Sequence, residues 1–162
     1  MVEKHLTVRT FFRFLQFVRE NIKQPSDIPL AIRIGYFIIM IPRNIARKDL
    51  PQLLHDFRGL QRPFGGETDA AVERIVRLRR LWLWLPILSS HNTCYVRALT
   101  LYRFLDSEKD EMQIHFGVEP GMNPNDRLKG HAWVTVNGRI MEPPEPVLSG
   151  RVTRIYSHPP GA

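Results

Sequence analysis

Hydrophobic positions recur at helical spacing through the first half of the chain and at alternate positions through much of the second. In "TVRTFFRFLQFVRENIK", residues 7–23, Phe11, Phe12, Leu15, Phe17 and Val18 fall broadly along one side with Arg and Lys elsewhere. That pattern predicts an amphipathic helix. Pro25 and Ser26 break it, and Ser26 or Asp27 is placed to cap a second helix. The apolar run of that second helix extends from Leu30 to Ile41 and is expected to bend or stop near Pro42. "RKDLPQLLHDFRGL" predicts a short third helix with Asp49 as its cap and Pro51 in its first turn. "QRPFGGE" reads as a loop. "TDAAVERIVRLRRLWLWLPIL" predicts a fourth helix capped by Thr68 or Asp69 and ending before Pro86. A fifth is expected from about Thr93 to Asp106.

The hydrophobic period then changes. After the polar turn "SEKDE", "MQIHFGV" puts Ile114, Phe116 and Val118 on one side of a strand. "EPGMNPNDRLKG" is rich in turn formers and reads as a loop. "HAWVTV-NG-RIME" predicts two short strands around Asn137-Gly138, the preferred pair for a type I′ hairpin turn, and "RVTRIYS" predicts one more strand. Helices followed by a small antiparallel sheet make an α+β fold. It divides into a helical region, residues 1–88, packed on a core formed by residues 89–162.

A chain of 162 residues, 43% hydrophobic and 24% charged, suits one folded domain or one domain with a helical extension. Its lone Cys94 excludes an internal disulfide and suits a reducing, cytoplasmic setting. The N-terminus shows no secretory signal pattern. "PLAIRIGYFIIMIP", residues 29–42, falls short of the ~20 apolar residues a membrane span needs and contains Arg33. A buried helix is expected there, with peripheral membrane contact as its other use.

The net charge of +7 is unevenly placed. Residues 1–90 hold fifteen Lys and Arg against eight Asp and Glu, whereas residues 91–162 hold eight of each. The basic half, marked by Arg77, Arg79 and Arg80, suits an acidic peptide, a partner protein or an anionic membrane. No zinc-finger spacing or RNA-recognition motif speaks for nucleic acid. Scattered His residues with one Cys give no metal-ligand spacing.

The same Cys carries the candidate chemistry. Asn92 or Thr93 caps the fifth helix, which leaves Cys94 in its first turn, where unpaired N–H groups and the helix dipole favour a thiolate. Those N–H groups can also donate to an oxyanion formed beside the sulfur. Ala98, Leu101 and Leu105 continue the stripe that Cys94 heads and anchor it in the core. A lone Cys is more often a small buried hydrophobe than a nucleophile, so catalysis requires a base and an orienting acid.

Of six histidines, His5, His55 and His158 read as surface residues. His115 points away from Ile114 and Phe116, and His91 is a second-choice base close in sequence to Cys94. His131 opens the hairpin strand. With a two-residue turn, Val136 pairs with Arg139, Thr135 with Ile140, Val134 with Met141 and Trp133 with Glu142. His131, Trp133 and Thr135 share a face, and Glu142 becomes the diagonal neighbour of His131. This gives Cys94 as nucleophile, His131 as base and Glu142 as orienter. Glu145 is the fallback if the Pro143-Pro144 bend or a bulge shifts the chain. The competing reading of His131 and Trp133 is a packed sheet face with a satisfied imidazole.

Taken together, "CYVRALTL", "IHFGV" and "GHAWVTVNG" resemble the Cys-x-x-Arg helix start, the Ile-Gly-Val strand and the His-Ala-Trp-Val strand of the transglutaminase-like proteins of lasso-peptide biosynthesis. The resemblance covers roughly residues 90–142. It implies a transglutaminase-like, papain-like cysteine protease core and a leader peptidase acting on a ribosomally made precursor peptide. It further implies a separate leader-recognition protein and a lasso cyclase as partners, and no metal or organic cofactor. Cys94 and His131 carry over directly. Ala98 stands where the family has Ser, and the family's acid is an Asp about one residue beyond Glu142, where this chain has Pro143. The rival readings are amide transfer on the same fold and a non-enzymatic partner-binding module.

Overall fold

The computed structural model describes residues 16–58, 68–105, 111–121 and 128–159. A helical stretch at residues 16–21 precedes α1 (Asp27–Ile45), α2 (Leu50–Arg58), α3 (Thr68–Leu83), the short α4 (Pro86–Ser89) and α5 (Cys94–Phe104). Strands β1 (Met112–Glu119), β2 (Lys129–Val136) and β3 (Arg139–Met141) follow, then a short helix α6 (Glu145–Leu148) and β4 (Thr153–His158). The α+β expectation holds. The N-terminal part of the first expected helix, the "QRPFGGE" loop and most of "SEKDE" lie outside the described residues.

The four strands lie in the order β3-β2-β1-β4 with antiparallel pairing throughout. Met112, Ile114 and Phe116 of β1 pair with Val136, Val134 and Ala132 of β2, so all six present one apolar face. Helix α5 packs on it. Its Val96, Leu99 and Leu101 join Ile34 and Ile38 of α1, Leu53 and Leu54 of α2 and Leu78 of α3 in one buried cluster with the sheet. Stripping these side chains of water, at roughly 25 cal/mol per Å², is the main force that fixes α5 across the strands.

Three local readings change. Helix α1 continues through Pro42 to Ile45 instead of stopping there. The proline removes one backbone donor, but packing of the preceding turns carries the helix past it. Neither Ser26 nor Asp27 caps α1 by its side chain in the expected direction. The Asp27 carboxylate, fully buried, turns back to accept from the N–H groups of Lys23 and Gln24 and from Arg74 Nε at 2.7 Å and Arg77 at 3.2 Å. Burial pushes this carboxyl up; the hydrogen bonds from Lys23, Arg74 and Gln24 outweigh it and hold it below the usual range.

The basic cluster is the third. Arg77 serves Asp27 and the carbonyl of Asn21, and Arg79 is only 2% exposed. Of the expected basic face, Arg80 alone is exposed.

Helices α1 and α3 meet closely at Gly35. A Cβ built there would lie 2.1 Å from the Trp82 ring, so only glycine admits the indole. Trp82 Nε1 donates to the carbonyl of Ala31 at 2.7 Å and ties the contact in place.

Among the described residues one helix, α1, is long and apolar enough to cross a membrane by length and composition. Its Leu30, Ile34, Phe37, Ile38 and Ile41 belong to the buried core.

Candidate functional site

Thr93 is the N-cap of α5. Its backbone is extended, and its Oγ1 accepts from Val96 N–H at 3.3 Å. Cys94 is therefore the first residue of the helix. With Val96 served by Thr93, the N–H groups of Cys94 and Tyr95 have no acceptor within the helix and point outward at its positive end. Ala98, Leu101 and Leu105 are buried at 4%, 1% and 1% exposure, so the stripe headed by Cys94 is anchored as the pattern requires.

The packing of α5 on β2 delivers the sulfur to the sheet. Cys94 Sγ lies 3.6 Å from the carbonyl oxygen of Gly130, the residue directly before His131. Cys94 is partly exposed, and it lines a small recess with Ala98, Trp133, Met141 and Glu142. Helix start and histidine strand, 36 residues apart in sequence, meet at this point.

His131 finds its carboxylate elsewhere than expected. Its Nε2 sits 3.3 Å from Glu119 Oε2. In the sheet Gly117 stands opposite His131 and Glu119 opposite Lys129, so Glu119 is the diagonal neighbour on the same face, within reach of a long side chain. A carboxylate accepts, so Nε2 carries the proton in this contact and Nδ1 keeps its lone pair. Nδ1 is buried and meets no hydrogen-bond partner among the described residues. Glu119 is held in turn by Arg151 Nε at 3.4 Å, and Arg151 also pairs with Glu145. Glu145 is thus linked to the imidazole's carboxylate through Arg151.

Glu142 is the correction. The hairpin has the expected register from Val136↔Arg139 to Val134↔Met141, with Asn137 at φ 51° and Gly138 at φ 77° forming the turn. Pairing then ends, and Glu142 adopts φ 49°. That left-handed residue swings the chain out of the sheet, so the alternation that would have set Glu142 beside His131 no longer applies. Its carboxylate instead accepts from Arg79, whose other terminal nitrogen donates to the carbonyl of Arg97 at 3.2 Å. Burial pushes the Arg79 guanidinium down and the Glu142 charge opposes that. Arg79 therefore joins α3, the backbone of α5 and the chain after β3, all next to the recess at Cys94.

The other histidines are engaged elsewhere. His115 is 2% exposed; its Nδ1 meets Ser157 Oγ at 2.7 Å, its Nε2 meets Thr135 Oγ1 at 2.8 Å, and its ring stacks on Trp133. It is a tie across three strands on the sheet face away from α5. Burial, assisted by the Arg154 charge, pushes it down and keeps it neutral. His91 meets its neighbour Ser90. His158, expected at the surface, belongs to β4 and stands edge-on to the buried ring of Tyr102. Among the described residues no group of three or more His, Cys, Asp or Glu is placed to hold a metal.

Sequence reasoning missed Glu119 because the local pattern assigns it to the loop after β1. The signal was present: His115, Gly117 and Glu119 continue one face of that strand if it runs one residue further.

A family model described as transglutaminase-like superfamily matches residues 37–157. No curated protein and no solved structure matches the chain. The matched range takes in the C-terminal part of α1, from Phe37, and every later element up to Ser157, so the helix bearing Arg79, the Cys94 helix and the His131 sheet fall within one family unit. The chain belongs to the transglutaminase-like superfamily.

Proposed function

We propose that this protein is a cysteine peptidase that removes the leader from a ribosomally synthesised precursor peptide, in lasso-peptide maturation. The observation that carries the reading is the approach of Cys94 Sγ to Gly130, beside a histidine whose Nε2 is held by a carboxylate and whose Nδ1 has no partner among the described residues. Cys94 Sγ and His131 Nδ1 share no hydrogen bond in this structure, and the register sets the imidazole on the Trp133 face. In this reading the His131 ring turns at the start of β2 and takes the thiol proton at Nδ1 as sulfur attacks the scissile carbonyl. The N–H groups of Cys94 and Tyr95 donate to the oxyanion. The imidazolium, steadied by Glu119, then protonates the leaving amine, and water cleaves the thioester by the reverse sequence. Glu119 takes the orienting role first read for Glu142, which here braces Arg79.

The reaction needs no metal or organic cofactor. Its partners are the precursor peptide, a separate leader-recognition protein and a lasso cyclase, and the setting is cytoplasmic. Incubating the protein with precursor and leader-recognition protein, then weighing the products, tests this. Leader and core fragments whose masses sum to precursor plus one water are expected, and Cys94→Ala should abolish them. Products joined through an amine would assign amide transfer instead. Intact precursor with the wild-type protein would leave a partner-binding module.

A further inference from the structure

Helix α1 is apolar on two faces, and the core accounts for only one. Leu30, Ile34, Phe37, Ile38 and Ile41 are buried. On the other side Ile28, Ile32, Tyr36 and Ile39 are 53%, 60%, 67% and 45% exposed. Their spacing of four, four and three residues makes one stripe along the helix. A helix apolar all round is ordinarily covered on all sides, so this stripe calls for an occupant.

The stripe borders a cavity of about 490 Å³, in the range of sites that seat large side chains. Ile32, Tyr36, Phe37, Met40, Phe57 and Phe104 form its apolar walls, and no carboxylate lines it. Two cations do: Arg33, and Arg103 with its guanidinium over the Phe104 ring. Arg33, Arg43 and Arg47 are exposed and have no ion-pair partner among the described residues. Between Ile28 and Lys48 the sequence has no acidic residue.

We propose that the groove formed by α1, α2 and the end of α5 seats an acidic amphipathic helix of a partner protein. Its apolar side chains fill the cavity, and its carboxylates meet Arg33, Arg43 and Arg47. Two other occupants fit less well. A second copy would set these arginines against one another. A lipid surface, which is flat at this scale, would cover the stripe and leave the cavity unfilled. The groove shares no residue with the recess at Cys94, so this proposal stands or falls apart from the peptidase reading.

The probes are synthetic helical peptides with one Leu/Ile face and either Glu or Lys flanks, fluorescein-labelled and titrated with the full chain by anisotropy. The Glu peptide should bind saturably and at least tenfold tighter than the Lys peptide. Ile32→Glu, Tyr36→Glu and Arg33→Glu should each weaken it at least tenfold, while Ile155→Glu on β4 should not. All four positions are exposed, and thermal melts identify any variant that fails to fold. Equal binding of the two peptides, no binding of the Glu peptide, or indifference to all three groove variants overturns the proposal. Co-sedimentation with phosphatidylglycerol vesicles that Ile32→Glu abolishes, without Glu-peptide binding, assigns the face to a membrane. A dimer in sedimentation velocity that Ile32→Glu dissociates assigns it to a second copy.

Discussion

Replacing Glu142 by Gln tests the role the fold gives this residue. Arg79 is 2% exposed and draws on two acceptors, the Glu142 carboxylate and the carbonyl of Arg97. Breaking a buried ion pair from one side costs ~3–5 kcal/mol, because the remaining charge is left uncompensated. Two features reduce that figure. The Glu142 side chain is 25% exposed, and Gln keeps an oxygen that accepts a neutral hydrogen bond, about 1 kcal/mol. The expected loss is therefore ~2–3 kcal/mol, a fall in Tm of about 4–12 °C for a chain of this size. Arg79→Met should cost a similar amount by stranding the carboxylate beside the recess. The double variant should fall within ~1 kcal/mol of wild type, because an apolar side chain replaces a desolvated pair. Urea unfolding followed by fluorescence of Trp82 and Trp133 measures all four proteins. Glu142→Gln costing under ~0.5 kcal/mol, with the two changes adding independently, would refute the brace.

Three further outcomes follow from the same contacts. Glu119→Gln should lower turnover of the precursor ~10²-fold or more while leaving thermal stability near wild type, since the carboxylate steadies a charge formed during reaction; equal rates in Glu119→Gln and wild type would remove it from the site. Asp27→Asn should cost ~3 kcal/mol at neutral pH, because it strands Arg74 and Arg77. The folded Asp27 titrates lower than in the unfolded chain, so its contribution is fully present above about pH 4 and is lost as pH falls through the folded value; the variant should lack that acid-dependent part in urea titrations. His115 titrates lower in the fold than the ordinary ~6.5, so its contribution is present above that value and lost as pH falls further; His115→Gln should flatten the decline in Tm between pH 7 and 5.

The sequence was most informative where structure is local. Asn137-Gly138 announced its own turn, since both residues take positive φ readily, and the three strand pairs next to it followed. The helix bearing Cys94 was equally legible, because Thr93 caps it through a residue three positions away. Glu142 was misread because alternation assumes a continuing strand, and nothing in "RIMEPPEP" marks the left-handed residue that ends it. Glu119 depends on the register between β1 and β2, which is set by strands separated by a loop. Charge counting left each arginine free for an outside partner, whereas Arg77 and Arg79 find acceptors 50 and 63 residues away in the chain itself. Non-local pairing of this kind leaves no periodic trace.

The central claim is that the Cys94 sulfur works with the His131 imidazole. Iodoacetamide alkylation of the single cysteine at pH 6, timed by mass spectrometry in wild type and His131→Ala, tests it most directly. The account predicts rapid modification of the folded wild type and a rate at least tenfold lower without the imidazole. Equal rates in the two proteins, or a thiol that stays unmodified until the chain unfolds, would contradict it.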